Sequence, residues 1–346
     1  MSGNRHEPWA LKQMQSLPLE SKILMSQRRI RDWFDYWEGE VCVNFSGGKD
    51  STVLKHLVEN TPGVYDVPSV FVDTGLEYPE IRMFARKQSN VTVLRPEMRF
   101  DEVLTKHGYP VGSKRIANAV DGARRNPNGV KMKQMLGIWE TNGKLSLYNY
   151  GKHKYLLDAD FKISDKCCNE MKKKPLKKYQ KESGRKAYVG TLASESLNRE
   201  ISWRMNGCNA FDAADPTSRP LSFWTEQDIL HYIKKYKIPY CSVYGDIVPT
   251  DKREPLEGQM TTFEFLDDYE GTLLKTTGCD RTGCIFCMFG CHLEKEPNRF
   301  QRLKETHPRQ YEYCINGGEM VDGMWQPNKQ GLGLGHVLDY IGVKYD

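Results

Sequence analysis

The residues best suited to chemistry lie in one run of six, Ser46-Gly47-Gly48-Lys49-Asp50-Ser51. An apolar run before it, Val41-Cys42-Val43-Asn44-Phe45, reads as a buried strand, and a helical pattern follows from Asp50 to Val58. A strand, a glycine loop and a helix start together make an anion site. Glycine lets backbone N–H groups close on phosphate oxygens, and the helix N-terminus adds positive potential. Lys49 supplies a mobile full charge, while Ser46 and Ser51 supply hydroxyl donors. Asp50 beside phosphates calls for a Mg²⁺ between them, which ATP would bring. The spacing is not the Walker pattern, which has four residues between its first glycine and its Gly-Lys pair. An ordinary strand-to-helix turn explains a Gly-Gly pair; it does not explain all six residues in this context.

The ten cysteines form the second group. Cys167 and Cys168 are adjacent, and Cys279, Cys284, Cys287 and Cys291 are crowded together. In a long chain whose start lacks a secretion signal, such crowding reads as metal binding before disulfides. The spacing Cys279-x4-Cys284-x2-Cys287-x3-Cys291 resembles, in its first three positions, the plant ferredoxin run, and four thiolates could equally hold structural zinc. Cys42, Cys208 and Cys241 read as core cysteines.

Elements that would position these residues follow from periodicity. Residues 19–37 place Leu19, Ile23, Ile30, Trp33, Phe34 and Trp37 at helical spacing. Pro68-Ser69-Val70-Phe71-Val72 reads as a second strand ending in Asp73-Thr74-Gly75, followed by a helical pattern around Ile81 to Ala85. Val91-Thr92-Val93-Leu94 reads as a third strand, and Ala187-Tyr188-Val189-Gly190-Thr191 resumes the pattern. Thr225 caps a helix carrying Asp228 at its third position and Ile229, Ile233 and Tyr236 on one face. Residues 121–150, rich in Gly, Asn and Lys, read as an irregular excursion. The alternation predicts an α/β fold, a Rossmann-like parallel sheet with helices on both faces. In such sheets ligands bind at the carboxyl ends of strands, where both glycine loops fall. The expected division is a helical segment over 1–37, a nucleotide domain over 38–250 and a cysteine-rich C-terminal appendage over 251–346.

The 346 residues, 39% hydrophobic and 27% charged, are those of an ordinary globular protein. No apolar run approaches the ~20 residues of a bilayer span, and the start lacks a signal peptide, so the expectation is a cytoplasmic protein without membrane contact. The net charge of +5 is unevenly spread. Residues 152–186 hold twelve Lys/Arg against five Asp/Glu, and residues 113–133 hold six against one. Both a polyanion footprint and solvated surface account for these stretches.

The loop resembles the PP-loop signature of the N-type ATP pyrophosphatases. Val72-Asp73-Thr74-Gly75-Leu76-Glu77-Tyr78-Pro79-Glu80, Gly190-Thr191-Leu192-Ala193-Ser194-Glu195-Ser196-Leu197-Asn198-Arg199 and Pro220-Leu221-Ser222-Phe223-Trp224-Thr225 resemble its phosphoadenosine-phosphosulfate-reductase-like branch. The resemblance covers about residues 38–245 and implies an adenine nucleotide α-hydrolase-like fold. It adds Asp73, Ser196 and Arg199 to the nucleotide-binding candidates Ser46, Gly47, Gly48, Lys49, Asp50 and Ser51, with Lys49 and Asp50 catalytic. Lys-Cys167-Cys168-Asn-Glu-Met-Lys-Lys-Lys-Pro-Leu resembles the paired-cysteine segment of adenylylsulfate reductases. It implies a [4Fe-4S] cluster on Cys167, Cys168, Cys284 and Cys287, with Cys279 or Cys291 as alternative ligands.

Two reactions compete on these grounds. In the first, ATP adenylates an acceptor with loss of pyrophosphate, and sulfur displaces the adenylate. This resembles the Fe–S pyrophosphatases of DNA phosphorothioation and the tRNA-thiolating PP-loop enzymes. It implies a DNA or tRNA acceptor and a sulfur donor such as a cysteine desulfurase. In the second, the chain reduces a sulfonucleotide. Such reductases use a cysteine in a C-terminal Glu-Cys-Gly-(Leu/Ile)-His motif, whereas this chain has Glu312-Tyr313-Cys314-Ile315-Asn316. A catalytically idle nucleic-acid-binding module is the third possibility.

Overall fold

The computed structural model describes residues 6–250 and 272–346. Among them the chain forms two compact units. The first takes the described residues within Met1–Asp73, Glu77–Arg95 and Leu176–Thr282; the second takes Thr74–Leu76, Pro96–Pro175 and Gly283–Asp346. The sequence boundary at 250 falls at the edge of the described residues, and residues 96–175 group with the C-terminal segment instead of with the phosphate loop.

The first unit begins with helices α1 (Pro8–Gln15) and α2 (Leu19–Tyr36), then β1 (Val41–Asn44), α3 (Lys49–Glu59), β2 (Ser69–Val72), α4 (Pro79–Lys87) and β3 (Val91–Leu94). In the second unit come α5 (Phe100–His107), α6 (Lys114–Arg125), α7 (Val130–Leu136) and the antiparallel pair β4 (Glu140–Thr141) and β5 (Lys144–Leu145). The chain then forms α8 (Lys174–Ser183) and continues the first unit with β6 (Lys186–Val189), α9 (Leu197–Asn206), β7 (Asn209–Ala210), β8 (Thr217–Ser218) and α10 (Glu226–Tyr236).

Strand order is β3-β2-β1-β6-β8-β7, parallel except for β7 against β8. β1 pairs with β2 (Val43↔Ser69) and with β6 (Val43↔Tyr188), so the phosphate loop leaves the middle of the sheet. Both faces are covered, which is why β2 is buried at every position. Alternate residues of β1 serve different cores. Val41 and Val43 join Ile23, Ile30 and Trp33 of α2, Val53 and Leu57 of α3, and Ile229 and Ile233 of α10. Cys42 faces the other way, with Val70, Ala187 and the α8 side chains Leu176 and Tyr179. Each fully buried side chain such as Ile30 or Leu54 contributes about 1.5–3 kcal/mol.

The Pro220–Thr225 segment is anchored to this core. Leu221, Phe223 and Trp224 are wholly buried, and Ser26 of α2 donates to the Pro220 carbonyl at 2.9 Å and accepts from the Trp224 indole at 2.9 Å. Thr225 caps α10 as the sequence predicts: its hydroxyl accepts from the Asp228 amide, and Asp228 accepts from the Thr225 amide at 2.6 Å. Asp228 also meets Lys22 of α2 at 2.8 Å in a buried ion pair. The start of α10 is thereby fixed on α2.

In the second unit, residues 121–150 are more regular than the sequence reading predicts. α6 runs to Arg125 with a Ser113 cap and buries Ile116, Ala117, Ala119, Val120 and Ala123. α7 and the β4–β5 hairpin follow. Small alanines built the buried stripe, and the Gly, Asn and Lys content masked it. Arg124 donates to the carbonyls of Leu156, Leu157, Ala159 and Phe161, closing residues 151–161 over α6. The Tyr109 hydroxyl donates to the Leu332 carbonyl at 2.8 Å, and the Trp325 amide to the Asp160 carbonyl at 2.6 Å. These bonds join the middle of the chain to its C-terminal segment.

Candidate active site

The phosphate loop leaves β1 and enters α3 with Gly48 as N-cap. Gly47 sits at φ +74°, and a Cβ there would lie 3.0 Å from Ile81 Cγ2, so glycine is required twice over. Gly190, at the end of β6, packs against the start of α3: a Cβ would stand 3.0 Å from the Asp50 carbonyl oxygen. The loop is braced internally. The Ser46 amide donates to Ser51 Oγ at 3.1 Å, the two hydroxyls are 3.0 Å apart, and Ser51 Oγ donates to the Gly48 carbonyl at 2.8 Å. Ser46 and Ser51 thus shape the loop as well as offering hydroxyls to an anion.

Lys49 is buried at the first helical position. Its ammonium lies 2.6 Å from Glu226 Oε1, donates to the Asp280 carbonyl, and sits 5.1 Å from the Tyr244 ring. Its amide donates to the Tyr244 hydroxyl at 3.2 Å, which is 2.7 Å from Thr282 Oγ1. Burial opposes the charge on Lys49, but Glu226, Asp50 and Tyr244 outweigh it and raise its pKa. Burial raises the pKa of Glu226 against the pull of Lys49, and pushes the Tyr244 phenol up to about 12. Asp50 Oδ1 is buried and has no hydrogen-bond partner among the described residues. An orphaned carboxylate oxygen at the mouth of an anion loop suits a hard divalent cation.

Arg199, on α9, is held by Glu195, which also takes Arg281 at 2.9 Å. Burial and the like charge of Arg281 lower the pKa of Arg199, while Asp50 acts in the opposite direction. Lys49, Asp50, Arg199, Arg281, Glu195 and Glu226 therefore form one electrostatic system. Ser196 caps α9, its hydroxyl accepting the Arg199 amide at 3.4 Å. Asp73 follows β2, and its buried carboxylate is engaged by Arg82 and Arg86 of α4. Burial pushes its pKa up, and the two guanidinium groups more than reverse this, for a net lowering.

The cysteine candidates lie in the second unit. Cys167 is buried, while Cys168, Cys284 and Cys287 are half-buried. Cys167 is raised by its hydrogen bond to Cys168, by burial and by the charges of Cys168, Cys287 and Cys284. Cys168 is lowered to about 5, first by that bond and then by Lys114 and Lys172 against the opposing effect of burial. The four thiols thus act on one another, and lysines favour a thiolate among them. The donor chemistry fits an iron–sulfur cluster. Among the described residues, however, no group of three or more His, Cys, Asp or Glu side chains is gathered to hold a metal ion. The Cys284–Cys287 turn is fixed by the Cys287 amide on the Cys284 carbonyl at 3.0 Å and by Arg299 donating to the Cys287 carbonyl at 2.8 Å.

Other cysteines sort by burial. Cys279 belongs to the first unit and Cys291 to the second, where burial raises its thiol to about 12. Cys314 is fully buried and burial pushes its thiol well up, the state of a core cysteine and not of a nucleophile. Cys42, Cys208 and Cys241 are core residues, as the sequence suggests.

Glu226, Tyr244, Asp280, Arg281, Thr282 and Lys114 escape the sequence reading. Glu226 directly follows the Trp224-Thr225 cap, and Arg281-Thr282 lie between Cys279 and Cys284, with no local pattern that marks either as part of the phosphate site.

The sequence model of the phosphoadenosine phosphosulfate reductase domain matches residues 40–126 and 130–288. No curated protein matches. Among solved structures, the chain is similar to phosphoadenylyl-sulfate reductase from Candida auris in a phosphate complex, with 17% identity over 63% of this chain and 82% of that one, TM-score 0.37. A mutant FMN adenylyltransferase of Candida glabrata has 13% identity over 73% of each chain, TM-score 0.38. The U34-tRNA thiolase NcsA of Methanococcus maripaludis, with its [4Fe-4S] cluster, has 12% identity over 72% of each chain, TM-score 0.31.

Proposed function

The chain belongs to the phosphoadenosine phosphosulfate reductase domain family, and from that premise we propose that it is an ATP pyrophosphatase activating an acceptor for sulfur transfer. The observation that carries this reading is the loop itself, with Lys49 buried and charged beside an unpartnered Asp50 oxygen.

Phosphate oxygens of ATP would take the loop amides and the α3 N-terminus, with Lys49 exchanging Glu226 for the phosphate. Asp50 would hold Mg²⁺, which supplies charge neutralisation at the phosphates when bound. Arg199 adds positive charge within reach of Asp50, and Arg281 adds it beside Glu195 and Glu226. An acceptor oxygen attacks the α-phosphorus, the bond to the β-phosphate oxygen breaks, and the lost electron pair leaves with pyrophosphate. Lys49 and the loop amides stabilise that growing charge. A sulfur nucleophile, delivered by a donor such as a cysteine desulfurase, then displaces AMP from the acceptor.

Cys167, Cys168, Cys284 and Cys287 would hold the [4Fe-4S] cluster, whose chemistry is electron or sulfur transfer. The acceptor in this reading is nucleic acid, DNA or tRNA, and the setting is the cytoplasm. No described helix is long and apolar enough to cross a membrane. Family membership also accommodates a sulfonucleotide reductase, but the burial of Cys314 counts against it. Release of AMP and pyrophosphate from ATP with Mg²⁺, in the presence of nucleic acid, tests the proposal. Lys49→Ala/Asp50→Ala should abolish it while leaving circular dichroism unchanged; undiminished turnover refutes the reading.

A further inference from the structure

The second unit carries a projection that the phosphate-loop chemistry does not use. Residues 136–148 leave α7, form the β4–β5 hairpin and return with Leu145 65%, Leu147 98% and Tyr148 53% exposed, beside Ile138 at 58%. Its base is rigidly tied. The Trp139 amide donates to Asn149 Oδ1 at 3.0 Å, the Asn149 side chain donates back to the Trp139 carbonyl at 2.9 Å, and the Tyr150 amide donates to the Gln134 carbonyl at 2.7 Å. Arg115 of α6 places its guanidinium 5.5 Å from the Tyr148 ring centroid. Lys133, Lys144, Lys152 and Lys154 are exposed in the same stretch, where residues 130–158 hold five lysines against Glu140 and Asp158.

Exposed apolar side chains on the returning arm of the hairpin cost solubility unless something covers them. Lysine is depleted at protein–protein interfaces, so this lysine-rich surround argues against a protein occupant. A flat ring backed by a guanidinium, in a stretch of chain that carries exposed lysines, is the chemistry that takes an unstacked base on its face and phosphates at its flanks. A duplex keeps its bases stacked and inaccessible to such a ring. Folded RNA presents unpaired loop bases that side chains can stack upon. Resting on the proposed nucleic-acid acceptor, we propose that the 136–148 projection docks the unpaired loop of an RNA, with a base on Tyr148 and Leu147 and the loop phosphates on Lys144, Lys152 and Lys154.

The test is fluorescence anisotropy with a fluorescein-labelled RNA hairpin, a blunt RNA duplex of the same stem and a single-stranded DNA of the loop sequence. Wild type should bind the hairpin more tightly than either control. Tyr148→Ala and Leu147→Ser should each weaken hairpin binding about tenfold. Lys144→Glu/Lys152→Glu should flatten its salt dependence. The altered side chains are exposed, so unchanged thermal melting confirms that the variants fold. Equal affinity of wild type and the Tyr148 and Leu147 variants, or no hairpin binding at low salt, overturns the inference. So does preferential binding of the duplex or of the single-stranded DNA. Loss of self-association in Leu147→Ser by size-exclusion chromatography, with RNA affinity unchanged, assigns the projection to a second copy instead. Pyrophosphate release measured in the same preparations separates the two readings: turnover without hairpin-dependent binding sinks only this inference, and hairpin-dependent binding without turnover sinks only the pyrophosphatase.

Discussion

Breaking the Lys49–Glu226 pair from either side gives the sharpest check on the site. The side chains are 4% and 10% exposed and 2.6 Å apart. Removing one partner of such a pair leaves the other buried without compensation, at a cost of about 3–5 kcal/mol. At roughly 2–4 °C per kcal/mol for a unit of this size, Lys49→Met or Glu226→Gln should lower Tm by about 6–20 °C. The double variant has no stranded charge, so its loss should fall short of the summed single losses by about 2 kcal/mol.

The pH dependence carries a definite sign. Burial already holds Glu226 above its ordinary value, and Lys49 opposes that shift. In Lys49→Met the opposition is gone, and the folded protein binds the proton more strongly than the unfolded chain. The associated stability is fully present below the unfolded value and is lost as pH rises through the folded one, so the penalty grows as pH climbs above the ordinary carboxylate range. Glu226→Gln shows no such growth. Its ammonium, freed of a competing carboxylate, should also give a larger ATP-induced rise in Tm than wild type. Urea unfolding followed by circular dichroism measures the cycle. Additive single losses, or a pH-independent penalty in Lys49→Met, would refute the pairing argument.

Two further outcomes are expected. Asp73 is held below its ordinary value by Arg82 and Arg86 against the effect of burial, so its stabilisation exists above about pH 4 and disappears as pH falls through the folded value. Asp73→Asn should flatten the acid limb of a stability–pH curve, and an unchanged limb would contradict the net lowering. Anaerobically purified protein should contain about four irons per chain. Cys284→Ser/Cys287→Ser and Cys167→Ser/Cys168→Ser should each remove that iron, whereas stoichiometric zinc without iron would overturn the cluster.

How legible the site was depended on where its chemistry sits along the chain. Lys49 and Asp50 lie in a continuous run framed by a strand and a helix, so local pattern was enough. Arg199 entered by resemblance, yet its partner Arg281 is over eighty residues away and meets it only through Glu195. No local period reports such a meeting. Ser196 and Asp73 are structurally committed, one to a helix cap and the other to two guanidinium groups, and a motif cannot distinguish that commitment from ligand binding. The sheet was legible because its strands are buried on both faces and read as apolar runs. α6 was missed because alanine supplies most of its buried stripe, and alanine carries little contrast against glycine and lysine neighbours.

The interleaving of the two units bears on how the chain is made. Residues 96–175 leave the ribosome long before residues 283–346, with which they form one compact unit. Tyr109 waits for Leu332, and Asp160 for Trp325. During synthesis the Phe161 region, which packs on His336 and Tyr340, therefore lacks its final cover, the circumstance in which nascent chains engage chaperones. A premature stop near the C-terminus would accordingly strip the middle of the protein of its partners as well as its end, so nonsense damage would spread backward through the chain.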